Sequence, residues 1–302
     1  MRRFALAAGL LLLMGGFLWN SQLTAQAVRD GLSLCAHAVV PALFPFFVAV
    51  SCFTSLGLAQ SLGRLLAPVT APLLGCSGTG SVAFLLGLLG GYPVGGRTVA
   101  ELYGAGAIDR REAEHLLTFC NNCGPSFVLG IAGMGCFHSP RIGLWLYVIH
   151  VLSAVTVAQF YRSRRVEPRT PRLGAPAPSF PAALVRSVTD GAQAMVSVCA
   201  FVLFFVAALR LVTALTGLTH PALIGAVELT GGILALTPDR AGFVTASALL
   251  GWGGLSVHGQ TAAVLYAASE EKLDAAEEML RSALVITDEP KETPPLIADV
   301  VR

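Results

Sequence analysis

The chain has 302 residues, of which 54% are hydrophobic and 13% charged, and its mean hydropathy is +0.69. Soluble domains carry about 25% charged residues, so this composition excludes a water-covered globular domain and favours lipid as the solvent. The formal net charge of +2 is too small to indicate nucleic-acid binding. We therefore predict an all-α polytopic membrane protein in contact with membrane lipid.

Apolar segments long enough to form membrane-spanning helices recur along the whole chain. A spanning helix needs about 20 mainly apolar residues. The segments that meet or approach this length are 4–19, 35–58, 82–103, 119–137, 142–161, 195–218 and 243–268. Two shorter apolar segments, 62–76 and 221–236, are interrupted by Pro and Gly, which favours re-entrant or interfacial structure.

The N-terminus resembles a signal sequence. Arg2 and Arg3 precede an apolar core, and Ala25 and Ala27 form a small-residue cleavage pattern. Cleavage therefore stays open. We favour an uncleaved signal-anchor helix over residues 1–27, because the rest of the chain is also predicted to lie in the membrane.

A linker at residues 162–181 separates two halves of the chain. It contains five arginines and five prolines, and Arg-rich loops stay on the cytoplasmic side. Four crossings and one re-entrant excursion within 62–103 would place the N-terminus and this linker on the same side. The predicted organisation is an anchor at 1–27, a first repeat plus two helices at 28–161, the cytoplasmic linker at 162–181, a second repeat at 182–268, and a polar helix and tail at 269–302.

The two halves share an internal repeat. The segment "GGYPVGGRTVAELY" at 90–103 aligns without gaps on "GGLSVHGQTAAVLY" at 253–266, with eight of fourteen positions identical. The segment "VRDG" at 28–31 matches "VTDG" at 188–191, again about 160 residues later. The first copy is predicted to start outside and the second inside. We therefore expect inverted repeats, as in many secondary transporters.

Each repeat contains a Gly-Gly pair at which an apolar helix should break. Gly costs about 1 kcal/mol and Pro about 3 kcal/mol relative to Ala inside a helix. Unwound backbone is tolerated at membrane depth where it is buried in protein or lines a cavity. The alternative is that these glycines only allow close helix packing. The candidate solute-binding residues here are Gly91, Tyr92, Pro93, Arg97, Ser256, His258 and Gln260.

The motif "FCNNCGPSF" at 119–127 places two amides in an apolar segment. Asn121 and Asn122 need hydrogen-bond partners there. Pro125 suits the first turn of a helix, because its missing N–H would be unpaired in any case. A helix that starts here would direct free N–H groups and the positive end of its dipole at the junction. Asn121, Asn122 and Gly124 are therefore further candidate solute contacts.

The motif also contains a C-x-x-C pair, Cys120 and Cys123. Zinc would need two further ligands at suitable spacing, and thioredoxin-type chemistry needs a βαβ context. Neither is visible in the sequence, so we interpret both cysteines as packing residues and predict no metal and no cofactor.

Glu228 is the only acidic residue of the apolar segment 221–236. An ionisable group inside the membrane is a functional candidate, here as a proton carrier or a solute contact. The alternative is that the segment is interfacial and Glu228 touches water. No pairing of a nucleophile with a base is visible in the sequence, so we do not predict an enzyme.

The motifs together resemble a known family. The blocks that carry the resemblance are "GGYPVGGRTVAELY", "EAEHLLTFCNNCGPSFVLGIAGMGCF", "VELTGG" and "GGLSVHGQ". They are similar to the sporulation integral membrane protein YlbJ family, which belongs with the nucleoside-recognition Gate domain proteins of spore-forming bacteria. The resemblance covers about 28–266 and makes the two repeats Gate-like. Two departures are Cys123, where the family usually has serine, and a polar tail after the second repeat.

The resemblance implies a multipass cell-membrane protein needed in endospore formation. Gate-type repeats suggest a permease or channel for a small polar solute. The alternative is a non-transporting structural or assembly protein of the developing spore envelope. Membrane lipid and the solute are the expected partners, and a homo-oligomer stays open.

Overall fold

The computed structural model describes residues 2–104, 106–161 and 178–268, and within them the chain is helical and contains no β-strand. Three helices are long and apolar enough to cross a membrane: Ser21–Ser55, Pro140–Phe160 and Phe180–Thr216. A fourth candidate is the pair Ser61–Leu74 and Gly78–Gly90, which is bent by 85°. The predicted all-α polytopic fold is confirmed. Most of the predicted linker, 162–177, and the predicted tail, 269–302, lie outside the described residues.

The helices follow one another with short connections. They are α1 (Arg2–Trp19), α2 (Ser21–Leu34), α3 (Val40–Ser55), α4 (Leu58–Leu74), α5 (Gly78–Gly90), α6 (Val94–Gly104), α7 (Arg110–Leu117), α8 (Pro140–Phe160), α9 (Phe180–Thr216), α10 (Pro221–Val227), α11 (Leu229–Leu234), α12 (Arg240–Trp252) and α13 (Gly254–Ala268). Two π-helical stretches, Cys35–Val39 and Ser126–Cys136, complete the set. The first of them joins α2 and α3 into one continuous helix.

The first helices of the two repeats pack against each other through a repeated glycine. A Cβ added at Gly31 would lie 2.9 Å from the side chain of Leu203 in α9. A Cβ added at Gly191 would lie 3.0 Å from the side chain of Val48 in α3. The glycines of "VRDG" and "VTDG" therefore play the same part in the two halves. Each lets its helix approach the first helix of the other repeat.

Both predicted helix breaks are present. Helix α5 ends at Gly90, the next residue Gly91 has a φ of +78°, and α6 begins at Val94. Helix α12 ends at Trp252 and α13 begins at Gly254, and Gly253 and Gly254 have φ values of +81° and +84°. Residues other than Gly rarely adopt a positive φ, and the glycines therefore allow the helix to end and the chain to change direction at these positions.

Helix α7 fastens the bend between α4 and α5. The carboxylate of Glu112 accepts a hydrogen bond from the Ser77 N–H at 2.6 Å. The Nε2 atom of His115 lies 2.8 Å from the carbonyl oxygen of Leu74. Both side chains are buried. Two polar residues of an amphipathic helix thus satisfy the backbone groups at the two sides of the turn.

Helix α1 packs loosely and exposes apolar side chains along its length. Trp19 is 90% exposed, and Leu12 and Leu18 are each 77% exposed. A surface of this kind suits lipid and not water. Ala25 and Ala27, which form the possible cleavage pattern, lie inside α2.

Candidate functional site

The first break, defined as residues 91–93, packs directly on the Asn loop, defined as residues 119–125. A Cβ added at Gly91 would lie 3.0 Å from the backbone nitrogen of Gly124. A Cβ added at Gly95 or Gly87 would overlap the carbonyl oxygen of Cys120. Glycine is therefore required at these positions, because backbone rests on backbone with no space between them for a side chain.

The second break, defined as residues 253 and 254, packs in the same way on the Glu turn, defined as residues 227–231. A Cβ added at Gly254 would lie 3.3 Å from the carbonyl oxygen of Val227 and 3.3 Å from the nitrogen of Leu229. In each half of the protein, a helix break thus contacts a second interruption of the helical backbone through backbone atoms.

Two hydrogen bonds connect the first break and the Asn loop to the helices on either side of the second break. The hydroxyl of Tyr92, in the first break, donates to the carbonyl oxygen of Leu250 near the end of α12 at 2.7 Å. The amide of Asn121 donates to the hydroxyl of Thr261 in α13 at 2.7 Å. The segments around the two breaks are therefore tied to each other directly.

A cavity of about 50 Å³ lies where these segments meet. Its polar wall contains Tyr92, Glu228, Thr230, Ser256 and Gln260. Its apolar wall is formed by side chains of the Cys35–Val39 stretch, α3 and α9, namely Val39, Ala42, Leu43, Val198 and Val202. The cavity thus combines a few convergent polar groups with an apolar face, which is typical of a small-molecule site.

Glu228 is held in place by its own turn. The side chain is 2% exposed, and its two carboxylate oxygens accept hydrogen bonds from the N–H groups of Thr230 at 3.0 Å and Gly231 at 2.6 Å. The carboxylate caps the short helix α11 and also faces the cavity. Nearby, the amide of Gln260 donates to the Ser256 hydroxyl at 3.2 Å, which orients both side chains one turn apart on α13.

The cavity is small in this conformation. A single water needs at least about 10–15 Å³, so this cavity of about 50 Å³ has room for a few waters. Pockets that hold drug-sized ligands measure about 300–1,000 Å³. A larger solute would enter only if the surrounding elements moved apart.

The structure brings five of the predicted site residues to this cavity. They are Tyr92, Gly124, Glu228, Ser256 and Gln260. Gly91 packs against Gly124, which lines the cavity. Asn121 bonds to α13, and the amide of Asn122 donates to the carbonyl oxygen of Phe119 at 2.8 Å, which closes its own loop.

Arg97, Pro93 and His258 lie elsewhere. Arg97 and Pro93 line a separate cavity of about 20 Å³, where the Arg97 guanidinium lies 2.9 Å from Glu101 and 3.6 Å from Asp190 of α9. The ring of His258 packs on Trp252 with centroids 4.7 Å apart. Its Nε2 atom is buried and has no hydrogen-bond partner in the part of the chain that the structure describes. Solute binding by these three residues stays a prediction.

Sequence reasoning missed two residues of this region. Thr230 lines the cavity two positions after Glu228, and its closeness to that residue was a usable signal. His150, a lone histidine on the apolar helix α8, accepts a hydrogen bond from the backbone N–H of Cys123 at 3.0 Å, and nothing in the sequence pointed to it. Cys123 itself is buried and lines the cavity.

Comparisons with known proteins agree with this architecture. A family model named Gate, described as nucleoside recognition, matches residues 36–138, a range that includes the first break and the Asn loop. The chain is 27% identical to the sporulation integral membrane protein YlbJ of Bacillus subtilis (strain 168) over 305 residues, which cover 86% of this chain and 75% of that protein. The resemblance inferred from the motifs is confirmed, and a location in a membrane is supported.

A solved structure shows the same fold. It is that of a variant of CNTnw in its intermediate 1 state. The TM-score is 0.54 at 15% sequence identity, and the match covers 91% of this chain and 84% of that chain. The likeness establishes the arrangement of helices, while the chemistry of the site is argued from the residues of this chain.

Proposed function

We propose that this chain, which is similar to YlbJ and to the Gate proteins, is a multipass cell-membrane permease or channel for a small polar solute in endospore formation. The observation that carries the proposal is the cavity between the two halves. Unwound segments from both halves reach it, as expected where a membrane protein binds a solute near the bilayer midplane. The match of residues 36–138 to the Gate model, described as nucleoside recognition, supports the same interpretation.

The lining residues indicate the chemistry of the solute. Among the described residues, Glu228 is the only charged side chain that lines the cavity. A carboxylate surrounded by protein repels anions and attracts hydrogen-bond donors or cations. Ser256 and Gln260 add a hydroxyl and an amide, which can bind neutral polar groups. We therefore propose an uncharged or cationic solute that carries donor groups, with an apolar part against α3 and α9.

Uptake into proteoliposomes tests the proposal. A thermal-shift screen with nucleosides, amino acids, dipicolinate and divalent ions selects the probes, and tritiated uridine and adenosine are included in any case. The purified wild-type protein should take up at least one of them, and Gln260→Ala should abolish that uptake. Gly130→Ala is the matched control, because nothing lies within 4 Å of a Cβ at that position. Equal uptake by Gln260→Ala and wild type would refute this site.

The alternative is a non-transporting structural or assembly protein of the spore envelope. The small volume of the cavity, about 50 Å³, is the observation that favours it. This alternative requires that wild-type proteoliposomes take up none of the compounds in the screen. It also requires that Gln260→Ala still supports spore formation in cells that lack the wild-type protein.

A further inference from the structure

We infer that His150 is a positioning residue, which holds the Asn loop in the place where it forms a wall of the cavity. The inference rests on the proposed function for its meaning, and its structural part can be tested without transport. His150 is 7% exposed and projects from α8 toward the loop. Its Nε2 atom accepts the backbone N–H of Cys123 at 3.0 Å, and Cys123 and Gly124 both line the cavity.

The bond matters because the Cys123 N–H belongs to neither of the helices at the two ends of the Asn loop. The loop starts after α7, where the N–H of Cys120 donates to Leu116, and ends where Phe127 and Val128 donate to Gly124. Cys123 lies between these two ends and is buried, so its N–H needs an acceptor other than the backbone carbonyls of the flanking helices. The imidazole supplies this acceptor from a neighbouring helix.

The loop is thereby held from two sides. Gly91 of the first break supports Gly124 from one side through backbone contact. His150 fixes the preceding residue from the other. If Cys123 were released, Gly124 would lose its contact with Gly91, and the wall of the cavity would move. The position of this wall is therefore set by a side chain that does not line the cavity itself.

The chemistry of the bond specifies the form of the imidazole. A ring nitrogen that accepts a hydrogen bond carries no proton, so His150 is neutral, with its proton on Nδ1. An amide oxygen placed where Nε2 lies could accept the same N–H. Gln has the length to place its oxygen near that point, whereas Asn is one methylene shorter. The pair His150→Gln and His150→Asn therefore separates the acceptor function from general polarity.

Alkylation of Cys123 by N-ethylmaleimide in the purified full-length protein, followed by peptide mass spectrometry, tests the inference. Cys76 is the internal reference, because it is buried in the bend between α4 and α5. We expect His150→Leu and His150→Asn to raise the alkylation rate of Cys123 about tenfold, the effect of losing one buried hydrogen bond. His150→Gln should keep the wild-type rate, and Cys76 should stay protected throughout.

The outcomes decide the inference separately from the proposed function. Equal protection of Cys123 in wild type, His150→Leu and His150→Asn would overturn it. If Cys76 also becomes reactive in His150→Leu, that variant has loosened the whole fold, and His150→Gln decides: protection of Cys123 supports the inference and its exposure overturns it. Where the wild-type protein transports a solute, His150→Leu should raise KM and His150→Gln should restore it. If the wild-type protein transports nothing, the proposed function fails, while the alkylation result stands.

Discussion

In both halves of the protein a helix break is contacted by a second backbone segment, but the order of the two segments along the chain differs. In the first half, the break at 91–93 is contacted by the Asn loop, which follows it in sequence. In the second half, the break at 253 and 254 is contacted by the Glu turn, which precedes it. The repeat therefore preserves a close approach of backbone to backbone, whichever segment provides the partner.

The side chains differ more than the backbone does. The first half contributes Tyr92 and Asn121, which bond to the second half. The second half contributes the carboxylate of Glu228 and, on α13, the polar side chains of Ser256 and Gln260. The first half mainly holds the site together, and the second half supplies most of its chemistry. We infer that the repeat retained the helix break and diverged in what surrounds it.

Inserting a methyl group into the backbone contact between α6 and the Asn loop should give the largest loss of stability. Gly95→Ala would place its Cβ on the carbonyl oxygen of Cys120. Overpacking of this kind costs about 1–3 kcal/mol, and a clash with backbone lies at the upper end. Thermal unfolding in detergent should show a large loss of stability, or no folded protein should be recovered. A wild-type melting curve would mean that α6 does not pack on the Asn loop as described, and Gly130→Ala serves as the neutral control.

Removing the carboxylate of the Glu turn should have the next largest effect. Glu228→Ala leaves the N–H groups of Thr230 and Gly231 without their acceptor, and losing a helix cap of this kind costs about 1–2 kcal/mol. Glu228→Gln retains one amide oxygen and should recover part of this stability. Both variants should lose uptake if the charge is needed. Normal uptake by Glu228→Gln would assign Glu228 to capping alone.

Cutting the tie between the halves should have a smaller effect. Tyr92→Phe removes the bond to the carbonyl oxygen of Leu250 and keeps the ring in place. The expected loss of stability is about 1 kcal/mol, the contribution of one buried hydrogen bond. Tyr147→Phe is a matched comparison, since its hydroxyl donates to the Leu88 carbonyl oxygen and neither residue lines the cavity. We expect reduced uptake for Tyr92→Phe and normal uptake for Tyr147→Phe. Equal uptake by the two variants would mean that the hydrogen bond between Tyr92 and Leu250 is not needed for transport.

Features carried by local sequence could be predicted. The apolar segments indicate the helices, and the paired glycines at 90–91 and 253–254 indicate the breaks, because Gly and Pro have strong local preferences. Glu228 was found because a lone acidic residue in an apolar segment is unusual. These features need no knowledge of which segments meet in space.

Features that depend on distant contacts could not be predicted. Arg97 and Gln260 occupy equivalent positions of the repeat, yet Arg97 pairs with Asp190 of α9 and Gln260 lines the cavity. His150 lies 27 residues from the backbone group that it binds. Asn122 follows the pattern of a solute ligand but bonds to its own loop. Which of two equivalent residues faces a cavity is decided by the helices packed around it, and a single sequence does not reveal that.

Exchanging the side chains of the equivalent positions 97 and 260 should distinguish the roles of the two halves in uptake, with the smallest change in stability. Arg97 is only 29% exposed at its side chain, and its ion pairs are of the partly exposed kind that contribute about 0–1 kcal/mol. Arg97→Gln should therefore melt close to wild type and retain uptake. Gln260→Arg, the reciprocal change, places a charge in the cavity beside Glu228 and should abolish uptake. Uptake lost in Arg97→Gln and kept in Gln260→Arg would reverse the assignment, because the solute path would then follow the cavity next to α6.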